Sequence, residues 1–183
     1  MFKFMKRFFY YHNLSVINIF SQIIISIFFL SIEAKASSLK ISTNQVCNFL
    51  KEQGLKAQLS WKKSDQNIDQ WGCANKLSTS EINAPINFTY QASGNEQEVK
   101  NIEIQAQVKD HSYSRLMQKK LLEISEIVSQ KSLGIPIDQQ IKDAINNGKS
   151  LTYQIENSII KISREKLSAS DGYIISFKIY SEN

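Results

Sequence analysis

The N-terminal segment constrains this chain more than any other feature, because it has the three-part order of a secretory signal peptide. Basic residues come first, and a long apolar run follows them. Small residues at Ala34 and Ala36 then fit the pockets of a signal peptidase, which predicts cleavage between Ala36 and Ser37. We therefore interpret residues 1–36 as a signal peptide and expect residues 37–183 to be exported as one domain, to a periplasm or to the exterior.

An uncleaved membrane anchor is the alternative interpretation of this segment. The apolar run at residues 14–32 is 19 residues long, close to the roughly 20 residues that span a bilayer. Polar residues weaken its first half, however, and the strongly apolar part at residues 23–32 has the length found in signal peptides. Both interpretations place the rest of the chain beyond the membrane, because positive charge precedes the run. If the segment is cleaved, contact with the membrane is transient.

The composition of the expected mature chain excludes some classes of partner. Cleavage leaves 147 residues, enough for one domain with a sizeable core. It also removes four basic residues and one acidic residue, so the formal net charge falls from +5 to +2. So small a charge attracts nucleic acid only weakly, and we expect no nucleic-acid partner. The abundance of Ile, Lys and Asn is typical of a bacterial genome rich in A and T.

Cys47 and Cys73 are the only cysteines, and we expect them to form a disulfide in an oxidising compartment. The bridge would close a loop of about 27 residues and stabilise the fold by roughly 3–4 kcal/mol on the chain-entropy model. A redox couple or a reactive thiol is the alternative. The close Cys-x-x-Cys spacing and the neighbouring base that favour such chemistry are both missing from the sequence.

The first half of the mature chain has the pattern of a short helix followed by strands. The helix is predicted to begin at Ser42 or Thr43 and to end at Gly54. Apolar residues then alternate with polar ones, which predicts strands exposed on one face. These strands are expected at residues 55–61, from Trp71 onward, at residues 86–90 and at residues 102–108, with a turn at residues 93–95.

The second half predicts two helices and three further strands, which gives an α+β fold. A long helix should begin at Asp110 or Ser112, carry an apolar stripe over residues 113–128 and end at Gly134. Asp138 should cap a second, shorter helix. Strands are expected at residues 151–155, 160–162 and 173–179. We predict an antiparallel, meander-like sheet with the short N-terminal helix and the central helix pair on one face. The strand order stays open.

The residues that could support catalysis do not form a recognised motif. His111 is the only histidine after residue 36, so a histidine-rich metal site is excluded. A Ser-His-Asp triad would need spatial coincidence, and Asp110-His111-Ser112 is better explained as a capped helix start. The glycines are scattered and form no phosphate-binding loop. We predict no catalytic residue, no metal and no cofactor.

A pair of carboxylates is the strongest candidate for enzymatic chemistry, because two acids in a cleft can act as acid and base. Glu96, Glu98 and Glu103 are the nearest candidates. The first two flank a predicted turn, and Glu103 alternates with apolar residues on the exposed face of a strand. Such positions are normally occupied by solvated side chains, so the pattern favours a protein that is not an enzyme.

A polar segment inside the predicted disulfide loop is a candidate interaction surface, since binding loops work best on rigid supports. The alternative is a plain hairpin connection with both of its tryptophans buried. The candidate residues are Trp61, Lys62, Lys63, Asp65, Asp69 and Trp71.

Three functions follow as hypotheses. The first is a non-enzymatic exported protein that binds another envelope macromolecule, such as a protein partner, a toxin or an enzyme that it inhibits. The second is an envelope hydrolase that uses a convergent carboxylate pair. The third is a carrier of a small ligand, with a pocket between the sheet and the helix at residues 113–128.

Overall fold

A computed structural model describes residues 39, 41–54, 60–65, 69–77, 86–168 and 171–182. The expected signal peptide and its cleavage site lie outside these residues, as does most of the strand predicted at residues 55–61. The helices are α1 (Thr43–Val46), α2 (Ser114–Leu133) and α3 (Gln139–Asn147). The strands are β1 (Lys62–Lys63), β2 (Trp71–Leu77), β3 (Ile86–Gly94), β4 (Val99–Val108), β5 (Leu151–Ile155), β6 (Ser158–Lys166) and β7 (Tyr173–Ser181).

The seven strands form one antiparallel sheet in the order β1-β2-β3-β4-β7-β6-β5. Strands β1 to β4 lie side by side in sequence order, and the chain then passes through α2 and α3 to the opposite edge of the sheet. It returns through β5 and β6, and β7 completes the sheet by pairing with β4. The predicted α+β class with an antiparallel sheet is confirmed, and the meander consists of two runs joined at the β4–β7 pair.

Every second side chain along the strands is buried on one face of the sheet, as the sequence pattern predicted. In β7 every second residue from Tyr173 is buried, and Phe88 and Tyr90 of β3 occupy the same face. Ile104 of β4 pairs with both Tyr90 and Phe177, so the three side chains form a row across the centre of the core. The core thus lies between this face and the helices.

The central helices begin and end close to the predicted residues, because their caps are encoded locally. The carboxylate of Asp110 accepts a hydrogen bond from the backbone N–H of Ser112 at 2.8 Å, and a 3₁₀ turn, His111–Tyr113, leads into α2. Gly134 ends α2 with a φ of 74°. Asp138 caps α3 through the backbone N–H of Gln140 at 2.7 Å. The stripe of α2 buries four large apolar side chains, those of Met117, Leu121, Ile124 and Val128.

The N-terminal helix is shorter than the sequence predicted. Only Thr43–Val46 is α-helical, and the backbone continues through tighter bonds, such as that from the N–H of Phe49 to the carbonyl oxygen of Val46 at 3.3 Å. A 3₁₀ turn, Lys51–Gln53, then ends at Gly54 in the left-handed region, as expected. The Val46 carbonyl oxygen also accepts a hydrogen bond from the side chain of Tyr90.

Two other boundaries differ from the predictions. Strand β3 continues through Gly94, and the reversal occurs at residues 95–98 instead of 93–95. The side chain of Asn95 fixes this turn, since its oxygen accepts hydrogen bonds from the backbone N–H groups of Gln97 and Glu98. Trp61, predicted to end a strand, precedes β1 and is not itself in a strand.

Candidate functional site

The described helices lie on one face of the sheet, and we call the opposite face the open face. Every second residue of β3, β4, β7, β6 and β5 points toward it, in a register that places these residues opposite one another across the strands. Most of them carry amide or hydroxyl groups, which both donate and accept hydrogen bonds. They are Asn87, Thr89, Gln91, Ser93, Asn101, Gln105, Gln107, Thr152, Gln154, Ser163 and Ser176.

A depression of about 260 Å³ lies on the open face over β4, β7 and β6. Lys178 on β7 is directly opposite Lys161 on β6 and directly opposite Glu103 on β4. In the next register position Ser163 faces Ser176. The ammonium group of Lys178 lies 5.5 Å from the ring centroid of Tyr180, which also lines the depression. The site therefore combines two cations, hydroxyl groups, one carboxylate and one aromatic ring.

A second depression, of about 420 Å³, lies over β1, β2 and β3. Part of its wall consists of Gly72, Ala74, Gln91 and Ser93, which point toward the open face. The predicted interaction residues Lys62, Lys63, Asp65 and Trp71 form another part of the wall. The structure thus brings four of the six predicted residues to one depression at the edge of the open face.

The segment predicted as an interaction loop is a hairpin closed by its backbone. Lys62 and Lys63 form the edge strand β1, and the N–H of Ser64 donates to the carbonyl oxygen of Gln70 at 2.7 Å. Residues 66–68 lie outside the described part of the chain, and Asp69 beside them is exposed.

The two tryptophans are half-buried and differ in surroundings. The indole N–H of Trp61 donates to the carbonyl oxygen of Asn95 at 3.0 Å, and the ring packs against the core. Trp71 lies within β2 and lines the second depression. Trp61 therefore anchors the hairpin, whereas Trp71 lies on the face of β2 that carries the buried Cys73, opposite the face of Gly72 and Ala74.

The structure contains the predicted disulfide between Cys47 and Cys73, with a Cα–Cα distance of 5.9 Å. Both residues are buried, and the bridge joins the end of α1 to β2. The neighbouring Val46 carbonyl oxygen accepts the hydroxyl of Tyr90 at 2.7 Å. Burial raises the pKa of the Tyr90 phenol far above its usual value, so the hydroxyl remains a hydrogen-bond donor.

A third contact fastens the N-terminal segment to the helices. The ammonium group of Lys131 on α2 donates to the carbonyl oxygen of Phe49 at 2.7 Å and lies 5.8 Å from the centroid of the Phe49 ring. Together with the disulfide and the Tyr90 hydrogen bond, this contact holds the N-terminal segment to the sheet and to α2. These buried and half-buried contacts give the bridge a structural role.

The candidate carboxylates are not brought together as a catalytic pair. Glu103 has Gln91 and Lys178 as its neighbours across the strands. Glu98 belongs to the β3–β4 turn, where its carboxylate accepts a hydrogen bond from the side-chain amide of Asn95 at 3.3 Å. Glu96 is exposed in the same turn. Their neighbours are amides and a lysine.

The residues around His111 have the predicted capping role. The exposed His111 ring lies 5.3 Å from the ring of Tyr173. Hydrogen bonding from the backbone of Ser112 lowers the pKa of the Asp110 carboxyl, the opposite of the shift expected for a general acid. Among the described residues, no group of three His, Cys, Asp or Glu side chains could hold a metal ion.

The interface between α2 and the sheet is filled by side chains. Met117, Leu121 and Ile124 are completely buried there, at the position where a carrier would need its pocket.

Within the described ranges, no helix is both long enough and apolar enough to cross a membrane.

The lysines of the first depression were not identified as a site by sequence analysis. Lys161 and Lys178 come together only through the register of β6 and β7. The hairpin signal at Asp171-Gly172 between the two alternating segments was the available clue, because aligning them about this turn places the two lysines close together.

Comparison with known proteins identifies a family without an assigned function. Residues 36–171, about three quarters of the chain, match the sequence profile of a family of unknown function (DUF6030). No curated protein and no solved structure matches the chain.

Proposed function

The chain belongs to this family of unknown function, and we propose that it is an exported, non-enzymatic protein whose open face binds an envelope macromolecule. The observation that carries the proposal is the open face itself, which presents rows of amide and hydroxyl groups and contains two depressions. Such a face can make many hydrogen bonds to an extended polar ligand.

Three observations support export. The N-terminal sequence has the order of a signal peptide, and a disulfide of the kind that persists in oxidising compartments joins Cys47 to Cys73. The family match begins at residue 36, next to the expected cleavage position. A periplasmic or secreted location is consistent with all three observations.

A polar partner fits the surface better than a strongly apolar one. The cores of protein interfaces are enriched in aromatic and other apolar side chains. Among the described residues, Leu116 on α2 is the one large apolar side chain that is exposed, with a relative accessibility of 41%. The open face instead offers hydrogen-bonding groups, with Tyr180 as a half-buried aromatic contact.

The proposal is tested by capture from a cell-envelope extract with the full-length chain carrying a C-terminal affinity tag. Gln91→Arg adds a long charged side chain to the open face. Gln140→Arg makes the same change on an exposed position of α3 and serves as the matched control. We expect one macromolecule to be retained by the wild type and by Gln140→Arg and to be lost with Gln91→Arg, with equal melting temperatures for all three proteins. The proposal fails if nothing is retained or if Gln91→Arg retains as much as the control.

A further inference from the structure

The two lysines of the first depression are an unusual pair. Lys161 and Lys178 lie directly opposite each other on adjacent antiparallel strands. Facing side chains in such pairs begin about 5 Å apart, and like charges there are destabilising. Lysine at both positions therefore opposes folding unless another charge balances the pair.

The nearby carboxylate does not form an ion pair with either lysine. Glu103 faces Lys178 across the strands, but its Oε1 accepts a hydrogen bond from the side-chain amide of Gln105 at 2.9 Å. The Lys178 ammonium group lies against the ring of Tyr180. No described carboxylate lies within 4.0 Å of either ammonium group, and the ion pairs found in the described ranges, Lys120–Glu123 and Lys142–Glu126, are on the helices. A net positive charge therefore remains in the depression.

The hydroxyl groups, the aromatic ring and the carboxylate of the depression indicate which functional groups a ligand should carry besides its negative charge. Ser163 and Ser176 offer hydroxyl groups in the register position next to the lysines, and the ring of Tyr180 offers an aromatic surface. Glu103 accepts hydrogen bonds, and it would repel the second charge of a phosphate dianion more than it would repel a singly charged carboxylate. A sugar acid meets each condition, because it combines one carboxylate with hydroxyl groups and an apolar ring face.

We propose that Lys161 and Lys178 form the subsite for the carboxylate of an acidic sugar within a glycan bound to the open face. The proposal rests on the function proposed above and specifies its ligand. The carboxylate accepts hydrogen bonds from the two ammonium groups, and Glu103 and the serines bind the sugar hydroxyls. The volume of about 260 Å³ is slightly below the range of roughly 300–1,000 Å³ typical of ligand pockets, so the subsite suits one short part of the glycan.

The second depression gives such a glycan a continuous path along the open face. It lies over β2 and β3, whereas the lysine pair lies on β7 and β6, with β4 between them. At about 4.8 Å per strand, the three strand spacings between the centres of the two depressions amount to roughly 14 Å. A glycan chain that crosses the strands can therefore contact both the lysine pair and the polar side chains of Gln91 and Ser93.

The test uses the full-length chain and a defined probe, oligogalacturonate, with its methyl-esterified form as the uncharged control ligand. Calorimetry should show binding of the acid form that weakens with added salt, and much weaker binding of the ester. The double variant Lys161→Gln/Lys178→Gln should bind the acid form about tenfold or more weakly. Lys119→Gln, which removes one exposed charge from α2, should bind as the wild type does.

Several outcomes would overturn the subsite. The subsite is refuted if the ester binds as well as the acid form, or if the double variant binds the acid form as well as the wild type does. It is also refuted if inorganic phosphate displaces the probe at concentrations below that of the probe, or if the chain binds anionic lipid vesicles in preference to the probe. If the double variant binds unchanged while Gln91→Arg still abolishes capture from envelope extract, the subsite fails and the open-face function stands. If capture fails with the wild type as well, the proposed function itself is wrong.

Discussion

The hydroxyl of Tyr90 donates a hydrogen bond of 2.7 Å to the carbonyl oxygen of Val46, the residue immediately before a disulfide-bonded cysteine. Two consecutive residues of the N-terminal segment are thus fastened to neighbouring strands, one by a hydrogen bond to β3 and the other by a covalent bond to β2. Tyr90 pairs with Asn75, two residues along β2 from Cys73. The two attachments therefore lie side by side on the buried face.

Removing the disulfide should destabilise the fold substantially. For Cys47→Ser/Cys73→Ser we expect the free energy of unfolding in urea to fall by about 3–4 kcal/mol, because the unfolded chain regains the freedom of the closed loop. Reducing the wild type should lower its stability similarly and should leave the double variant unchanged. Thiol labelling of the unreduced, denatured wild type should modify neither cysteine, and labelling of both would refute the bridge.

Removing the Tyr90 hydroxyl should lower the free energy of unfolding by about 0.5–1.5 kcal/mol. Tyr90→Phe keeps the ring in the core and removes the hydroxyl donor from the buried Val46 carbonyl oxygen, which still accepts the N–H of Phe49, so the loss is that of one hydrogen bond. Tyr153→Phe on β5 is the matched control, because Tyr153 is only half-buried. Chemical denaturation of the two variants measures the difference. Equal stability of the two would show that this hydrogen bond contributes nothing to folding.

Asp110 should make the fold more stable above its usual pKa than below it. The hydrogen bond from the Ser112 backbone lowers its pKa in the folded state from the ordinary 3.8. Its contribution is therefore fully present above the unfolded-state value and is lost as the pH falls through the lower folded-state value. Asn can still cap the helix but cannot be protonated in this range, so Asp110→Asn should flatten the fall in stability between about pH 5 and pH 2.

Urea unfolding of Asp110→Asn at a series of pH values tests this dependence, with Asp65→Asn as an exposed control. The control should follow the wild-type pH profile. An Asp110→Asn profile that is as steep as that of the wild type would contradict the assignment.

The features that sequence could predict are those that local interactions determine. Asp138 and Gly148 delimit α3 because a capping carboxylate and a left-handed glycine act within one helical turn. The alternation that ends in Phe177 and Ile179 predicts a buried strand face, because successive side chains of a strand point to opposite faces. The α+β class followed from the order of such segments.

Long-range interactions explain what sequence did not predict. The hydrogen bond that joins the end of α1 to β3 connects Val46 to Tyr90, 44 residues later in the chain. The pairing of Lys161 with Lys178 depends on register, and the place of β7 beside β4 depends on the crossing of α2 and α3 to the far edge. Of the predicted interaction residues, Lys62 and Lys63 proved to be an edge strand because they pair with Gly72 and Trp71.

The position of β7 has a consequence for the order of folding. It lies between β4 and β6, so the four strands that precede the helices and the two that follow them share no sheet hydrogen bonds until β7 is inserted. Contacts between residues so distant in sequence form late and slow the folding of a chain. The complete sheet can therefore close only after the last strand of the chain is available.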